Sequence, residues 1–179
     1  MITKNFKALL AVLLLAKDSP YFGILPVKNR SGSTKYLTSY FKNTNSFPYS
    51  LTASVGFSDT GYGLCVGSGN TAATEDDYTL EQAITSGLSA SSPSATPSLD
   101  SSGNPQLEIV FTLTNTTSSD IVVKEIGYVQ KLYVASQQGG SSATTENCLL
   151  DRTVLETPVT IPANGYAAMK YTLKTIMPS

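Results

Sequence analysis

The 179-residue sequence predicts an all-β fold, an antiparallel β-sandwich of Ig-like or jelly-roll-like kind with one short N-terminal helix. Three observations point there. Ser and Thr fill about a quarter of the chain while charged residues fall to 14%, against the roughly 25% of ordinary domains. Thr, Tyr, Val and Ile, which suit a pleated half-buried surface, stand where a helical bundle would need Ala, Leu, Glu and Lys. From residue 20 onward, short apolar runs alternate with Gly, Asn, Ser and Pro clusters, the rhythm of strands joined by turns. A single domain of this length buries roughly 70% of its unfolded surface and needs no covalent staple.

Two parts follow, a helix over 1–19 and a sandwich over 20–179. In the first, Phe6, Leu9, Leu10, Leu13 and Leu14 recur at helical spacing and form one continuous apolar face. Thr3 stands at the N-cap position, and Pro20 pushes Ser19 out of helical geometry. Lys4 and Lys7 before the apolar run Ala8 to Ala16 imitate a secretory signal, but Leu14 and Asp18 occupy positions where cleavage needs small residues. The run is also about half the roughly 20 residues that span a bilayer. A docked helix is the favoured reading, with no membrane partner. Its five face residues are the candidate assembly contacts, against the sandwich or a neighbouring subunit.

The strands are expected in order. Tyr21 to Val27 is extended, Asn29 to Ser33 turns, and Lys35 to Phe41 returns. Phe47 to Phe57 forms a strand around Leu51, Ala53 and Val55. Leu64 to Asn70 runs into a Gly-rich bend, where Gly67 and Gly69 supply permissive backbone. Residues 86–105 hold almost only Ser, Ala, Pro, Thr and Gly, which leaves a flexible low-complexity arm, an exposed loop or two weak strands. Leu107, Ile109, Phe111 and Leu113 alternate along the strongest strand. Ile121 to Val134 follows, with Gly127 marking a bulge or a close approach. After a polar loop from Gln137 to Asn147 come strands over Cys148–Leu155 and Thr157–Ile161, then a turn at Pro162–Gly165. In the last strand, Tyr166 to Ile176, the core side is Ala167, Met169, Tyr171 and Leu173.

Little in the chain carries chemistry. Twelve basic residues stand against thirteen acidic ones, without the basic stripe that nucleic acid requires. The absence of His removes imidazole bases and His-type zinc sites. Cys65 and Cys148 are too far apart in sequence for a C-x-x-C site and read as buried free thiols, with a single bridge between them the alternative. The Gly67–Gly69 bend matches no phosphate-binding pattern. Glu75, Asp76 and Asp77 lack the alternation of a calcium loop and read as a solvated turn. Asp151 and Arg152 read as ordinary surface charges, and Asn115-Thr-Thr matches an N-glycosylation sequon. These features predict a protein that is not an enzyme, with no catalytic residue, metal or cofactor.

Several phrases resemble those of tailed-bacteriophage virion proteins. They are the opening Asn5-Phe-Lys-Ala-Leu-Leu10, Val66-Gly-Ser-Gly-Asn-Thr-Ala-Ala-Thr-Glu-Asp-Asp-Tyr-Thr-Leu80, and Phe111-Thr-Leu-Thr-Asn-Thr116 leading into Val123-Lys-Glu-Ile-Gly-Tyr128. Leu150-Asp-Arg-Thr-Val-Leu155 before Val159-Thr-Ile-Pro-Ala-Asn-Gly165 is another. The resemblance implies a small β-sandwich component of head, neck or tail, assembled in the host cytoplasm from copies of itself and other virion proteins as a ring or lattice. The alternative is a surface module of a fibre or tail that binds carbohydrate or a receptor, with Tyr36, Tyr40, Tyr49 and Tyr62 stacking on sugars.

Overall fold

The computed structural model describes residues 1–15, 25–37, 61–138 and 143–174. Within them the chain is mostly β, a sandwich-like pair of antiparallel sheets with one short helix, as the composition predicts. The helix α1 spans Lys4–Leu15, and the strands that follow are β1 (Leu25–Lys28), β2 (Thr34–Leu37) and β3 (Gly63–Gly67). Next come β4 (Leu88–Ala90), β5 (Ser94–Leu99), β6 (Pro105–Asn115), β7 (Ile121–Ala135), β8 (Ala143–Ile161) and β9 (Tyr166–Lys174). The expected strand over Phe47–Phe57 lies outside the described residues.

Both sheets follow one plan. In sheet I the long strand β7 takes β8 along one edge, while β3 and β2 share the other edge end to end. In sheet II the long strand β6 takes β9 along one edge, while β4 and β5 share the other. The β1–β2 hairpin extends sheet I through β2. The core fills the space between the sheets. Ile109, Phe111 and Leu113 of β6, with Met169, Tyr171 and Leu173 of β9, meet Ile126, Tyr128, Leu132 and Val134 of β7. On β6 and β9 the buried residues are those that period-two alternation selects, with Leu107 and Ala167 half-buried.

The structure selects among alternatives at two places and shortens one loop. Residues 86–105 take the last of their three forms, weak strands, rather than an arm or loop: β4 and β5 pair with β6 in antiparallel register. Leu88 of β4 enters the core while β5 buries no side chain, and the β6 ladder satisfies the backbone groups that a free segment would give to water. The polar loop before Cys148 is shorter than expected, since β8 begins at Ala143 and runs unbroken to Ile161. Gly127 is a site of close approach: a Cβ there would come within 2.9 Å of both Leu80 and Leu149. The turn at Pro162–Gly165 does form, with Asn164 in the left-handed region at φ 56°.

Every residue of β5 is exposed. Ala95, Pro97 and Leu99 stand opposite Ile109, Leu107 and Pro105, so they lie on the core side of sheet II. Leu99 is nonetheless 67% exposed. This corner of sheet II overhangs the sandwich as an apolar ledge.

Candidate functional site

The densest chemistry of the molecule starts at a bulge in β8. Val129 pairs with Leu149 and Tyr128 with Asp151, which leaves Leu150 as the extra residue. The insertion resets the alternation of the strand. Leu150 and Asp151 both face the space between the sheets, and Arg152 is thrown onto the outer face of sheet I. Asp151 accepts a hydrogen bond there from Tyr171 on β9, while Arg152 is 3% exposed on the opposite face. The reading of this pair as surface charges is therefore wrong. The bulge cannot be read from residue types, and neither can the partners that make burial of the pair tolerable.

Those partners come from a strap, residues 68–84, that crosses the outer face of sheet I without regular secondary structure. The Arg152 Nε–H donates to Glu125 Oε2 at 2.8 Å, Nη1 to Asp77 Oδ2 at 2.8 Å, and Nη2 to the Thr71 carbonyl at 3.0 Å. Glu81 Oε2 lies 3.5 Å from Nη2. Glu125, on β7 and 0% exposed, also accepts the backbone N–H groups of Gly69, Glu81 and Gln82. A buried carboxylate is costly unless its lone pairs are filled, and here four donors fill them.

Glycine makes the approach possible. A Cβ on Gly67 would lie 2.4 Å from Glu125 Oε1 and 2.6 Å from the Gln82 carbonyl. One on Gly69 would lie 2.6 Å from the same carboxylate oxygen. The permissive role expected of these glycines is thus a matter of space, since neither has a left-handed φ. Below the ion cluster, Leu80 of the strap packs on Cys65, Val129 and Leu149, an apolar group separate from the main core.

The electrostatics follow from this geometry. Burial pushes the Asp77 carboxyl upward, but the hydrogen bonds from Arg152 and Thr74 outweigh it and hold the group below the usual range. Hydrogen bonds from the Thr71 hydroxyl and N–H do the same for Glu81. Burial acts to lower the Arg152 pKa, and the Asp77 and Glu125 carboxylates more than restore it. Asp77, Glu81 and Arg152 stay charged at neutral pH, and together with Glu125 they direct their hydrogen bonds within the chain. The expected turn at Glu75–Asp77 is present, and its last carboxylate reaches into this cluster.

The candidate assembly contacts divide. Phe6 and Leu9 are buried in the chain's own sandwich, the first of the two coverings expected for the helix. Leu10 is 36% exposed. Leu13 and Leu14 fall within α1, with side chains outside the described ones. Thr3 takes the N-cap position, its carbonyl accepting from Phe6 N–H at 3.1 Å. Its hydroxyl does not cap the helix but donates to the Leu149 and Leu150 carbonyls at the bulge. Asn5 clamps the helix to β1 and β8 by donating to the carbonyls of Lys28 and Leu149. Lys4 and Lys7 pair with Asp76 and Glu75 of the strap.

Cys65 and Cys148 are free and buried, as expected, and burial pushes each thiol up to about 12. Of the tyrosines considered for sugar stacking, Tyr36 is half-buried and Tyr62 carries the Lys131 ammonium 4.3 Å from its ring centroid. Tyr40 and Tyr49 lie outside the described residues. No group of three or more Cys, Asp and Glu among the described residues is placed to hold a metal ion. No helix among them is long and apolar enough to cross a membrane. No protein-family model matches the chain, and no curated protein or solved structure matches it either.

Proposed function

We propose that the chain is a non-enzymatic structural subunit of a bacteriophage virion, a neck, tail or head accessory protein that works through contacts with copies of itself and with other virion proteins. The observation that carries this reading is the ledge of sheet II. Ala95, Pro97 and Leu99 lie on the core side of a sheet yet stay exposed, a surface that a neighbouring subunit would cover. Leu10, exposed on a helix that buries Phe6 and Leu9, adds a second apolar point. The virion-like phrases of the sequence supply the assembly to which such contacts would belong. The densest polar cluster supports a structural role as well, because its hydrogen bonds are directed within the chain.

Purified particles test the proposal. The chain should be present in them at a fixed copy number, and the isolated protein should sediment as a ring or larger homo-oligomer. Absence from particles, or a monomer at every concentration, would end it. Specific binding on a glycan array would favour the receptor-binding alternative instead.

A further inference from the structure

We infer that residues 68–82 open from sheet I as a unit while the sandwich stays folded, and that the Arg152–carboxylate cluster is the latch, released in acid. The strap is built to separate. Its apolar anchor, Leu80, belongs to a small group with Cys65, Val129 and Leu149 that is distinct from the core between the sheets, while Ile84 at its base packs against that core and stays behind when the strap opens. Its base is a narrow neck, where Ser68 N–H donates to the Gln82 carbonyl at 2.8 Å and Ile84 N–H to the Val66 carbonyl at 2.9 Å. Between those points the strap adds no ladder to the sheet. Segments with few apolar contacts and no ladder are the ones that open below the cost of global unfolding.

The rest of the hold is electrostatic, and it comes from every element around the strap. Arg152 on β8 grips Asp77 and Glu81, and Glu125 on β7 receives three strap N–H groups. Lys4 and Lys7 of α1 pair with Asp76 and Glu75, and Lys28 at the end of β1 lies over the Tyr78 ring. Counting Arg152 against Asp77, Glu81 and Glu125, the inner cluster carries three negative charges and one positive. Asp77 and Glu81 line a cleft open to solvent, so protons reach them without disturbing the sandwich. Protonation of either carboxyl removes an acceptor from a guanidinium that has left water, and opening the strap rehydrates it.

The two cysteines read out this motion, because they lie on opposite faces of sheet I. Cys65 is under the strap, while Cys148 is in the core between the sheets. Strap opening exposes the first alone, and global unfolding exposes both. The full chain is treated with dithiodipyridine, which reacts with thiols in acid, between pH 7 and pH 3, and each cysteine is followed by peptide mass spectrometry. Below about pH 4, where carboxylates begin to protonate, Cys65 should react at least roughly tenfold faster than Cys148, and less so at pH 7. The Asp77→Asn, Glu81→Gln double variant should carry the acid ratio to neutral pH. Equal rates at every pH would show that the strap opens only with the whole domain and would overturn the inference. A fast Cys65 whose advantage ignores pH would overturn the latch. If the double variant does not fold, its thiols react alike, and the pH series on the unaltered chain decides.

Discussion

Tyr171 donates its hydroxyl proton to Asp151 Oδ2 across 2.5 Å, tying β9 of sheet II to β8 of sheet I through the middle of the sandwich. Asp151 also accepts from Thr153 Oγ1 at 3.2 Å and lies 3.2 Å from the Met1 amino group. The Tyr171 ring stacks on Tyr128 at 6.5 Å between centroids, so the bond sits in an apolar setting. Burial first, and then the Asp151 charge, push the phenol well above its ordinary pKa, which keeps it a donor.

Replacing Tyr171 with Phe keeps the ring and removes one donor from a buried carboxylate. The loss should be about 1–3 kcal/mol, the cost of leaving a buried acceptor short of a partner. Chemical denaturation of the two proteins measures it, with an unchanged slope if only the native bond is lost.

Arg152 should be more sensitive. Removing its charge in Arg152→Met leaves Glu125 buried with backbone donors alone and should cost about 3–5 kcal/mol. Arg152→Lys should recover only part, because an ammonium cannot reach Glu125, Asp77 and the Thr71 carbonyl from one planar fork. Thermal midpoints of the three proteins give the order.

Acid stability follows from the depressed carboxyls. Asp77, Glu81 and Asp100 all have folded pKa values below their ordinary ones, Asp100 because the Asn104 N–H in its turn donates to it. A group whose folded value is lowered contributes its full stability above the unfolded value. That contribution is lost as pH falls through the folded value. The thermal midpoint should therefore hold from pH 7 to about pH 5 and decline below about pH 4, where unfolded carboxyls take up protons. Asp77→Asn should lower the neutral plateau and flatten the decline.

The sandwich was legible in the sequence where one face of a strand is buried and the other wet. Ile109, Phe111 and Leu113 on β6 and Met169, Tyr171 and Leu173 on β9 announce their side by period two. The ion cluster gave no such signal. Arg152 lies 27 positions from Glu125 and 75 from Asp77, and burial of a charge depends on partners that periodicity does not bring together. One clue was available: Asp151-Arg152 interrupts the apolar run from Cys148 to Leu155, where a pair of charges must either face water or be paid for by partners. Strands β4 and β5 were hard to see for another reason, since β4 offers the core only Leu88 and Ala90 and β5 pairs through backbone bonds with every side chain exposed.

The Asn115 sequon should carry no glycan in the folded protein. Asn115 is 1% exposed, and its Nδ2 donates to the carbonyls of Ser119, Ile161 and Pro162. A sugar on that nitrogen would displace bonds that close the turn between β6 and β7. Expression through a glycosylating secretory route should yield soluble protein whose Asn115 peptide is unmodified by mass spectrometry, a site-specific readout that the second sequon at Asn29-Arg30-Ser31 requires. Soluble, native protein with a glycan on Asn115 would contradict the placement of that side chain.

Adjacent leucines of α1 give the last test, because they separate folding from association. Leu9 is 3% exposed in the core, so Leu9→Ala should cost about 2–5 kcal/mol through lost transfer energy and a cavity. Leu10 is the outward residue, and a charge there meets water in the isolated chain. Leu10→Asp should change the stability of that chain by no more than about 0.5 kcal/mol, the range of ordinary surface changes. If Leu10 lies against a neighbouring subunit, the same charge is desolvated without a partner on assembly. Analytical ultracentrifugation should then show Leu10→Asp folded but shifted toward the monomer, with Leu9→Ala losing stability first. A Leu10→Asp protein that assembles like the unaltered chain would remove α1 from the contact and leave the ledge of β5 to carry it.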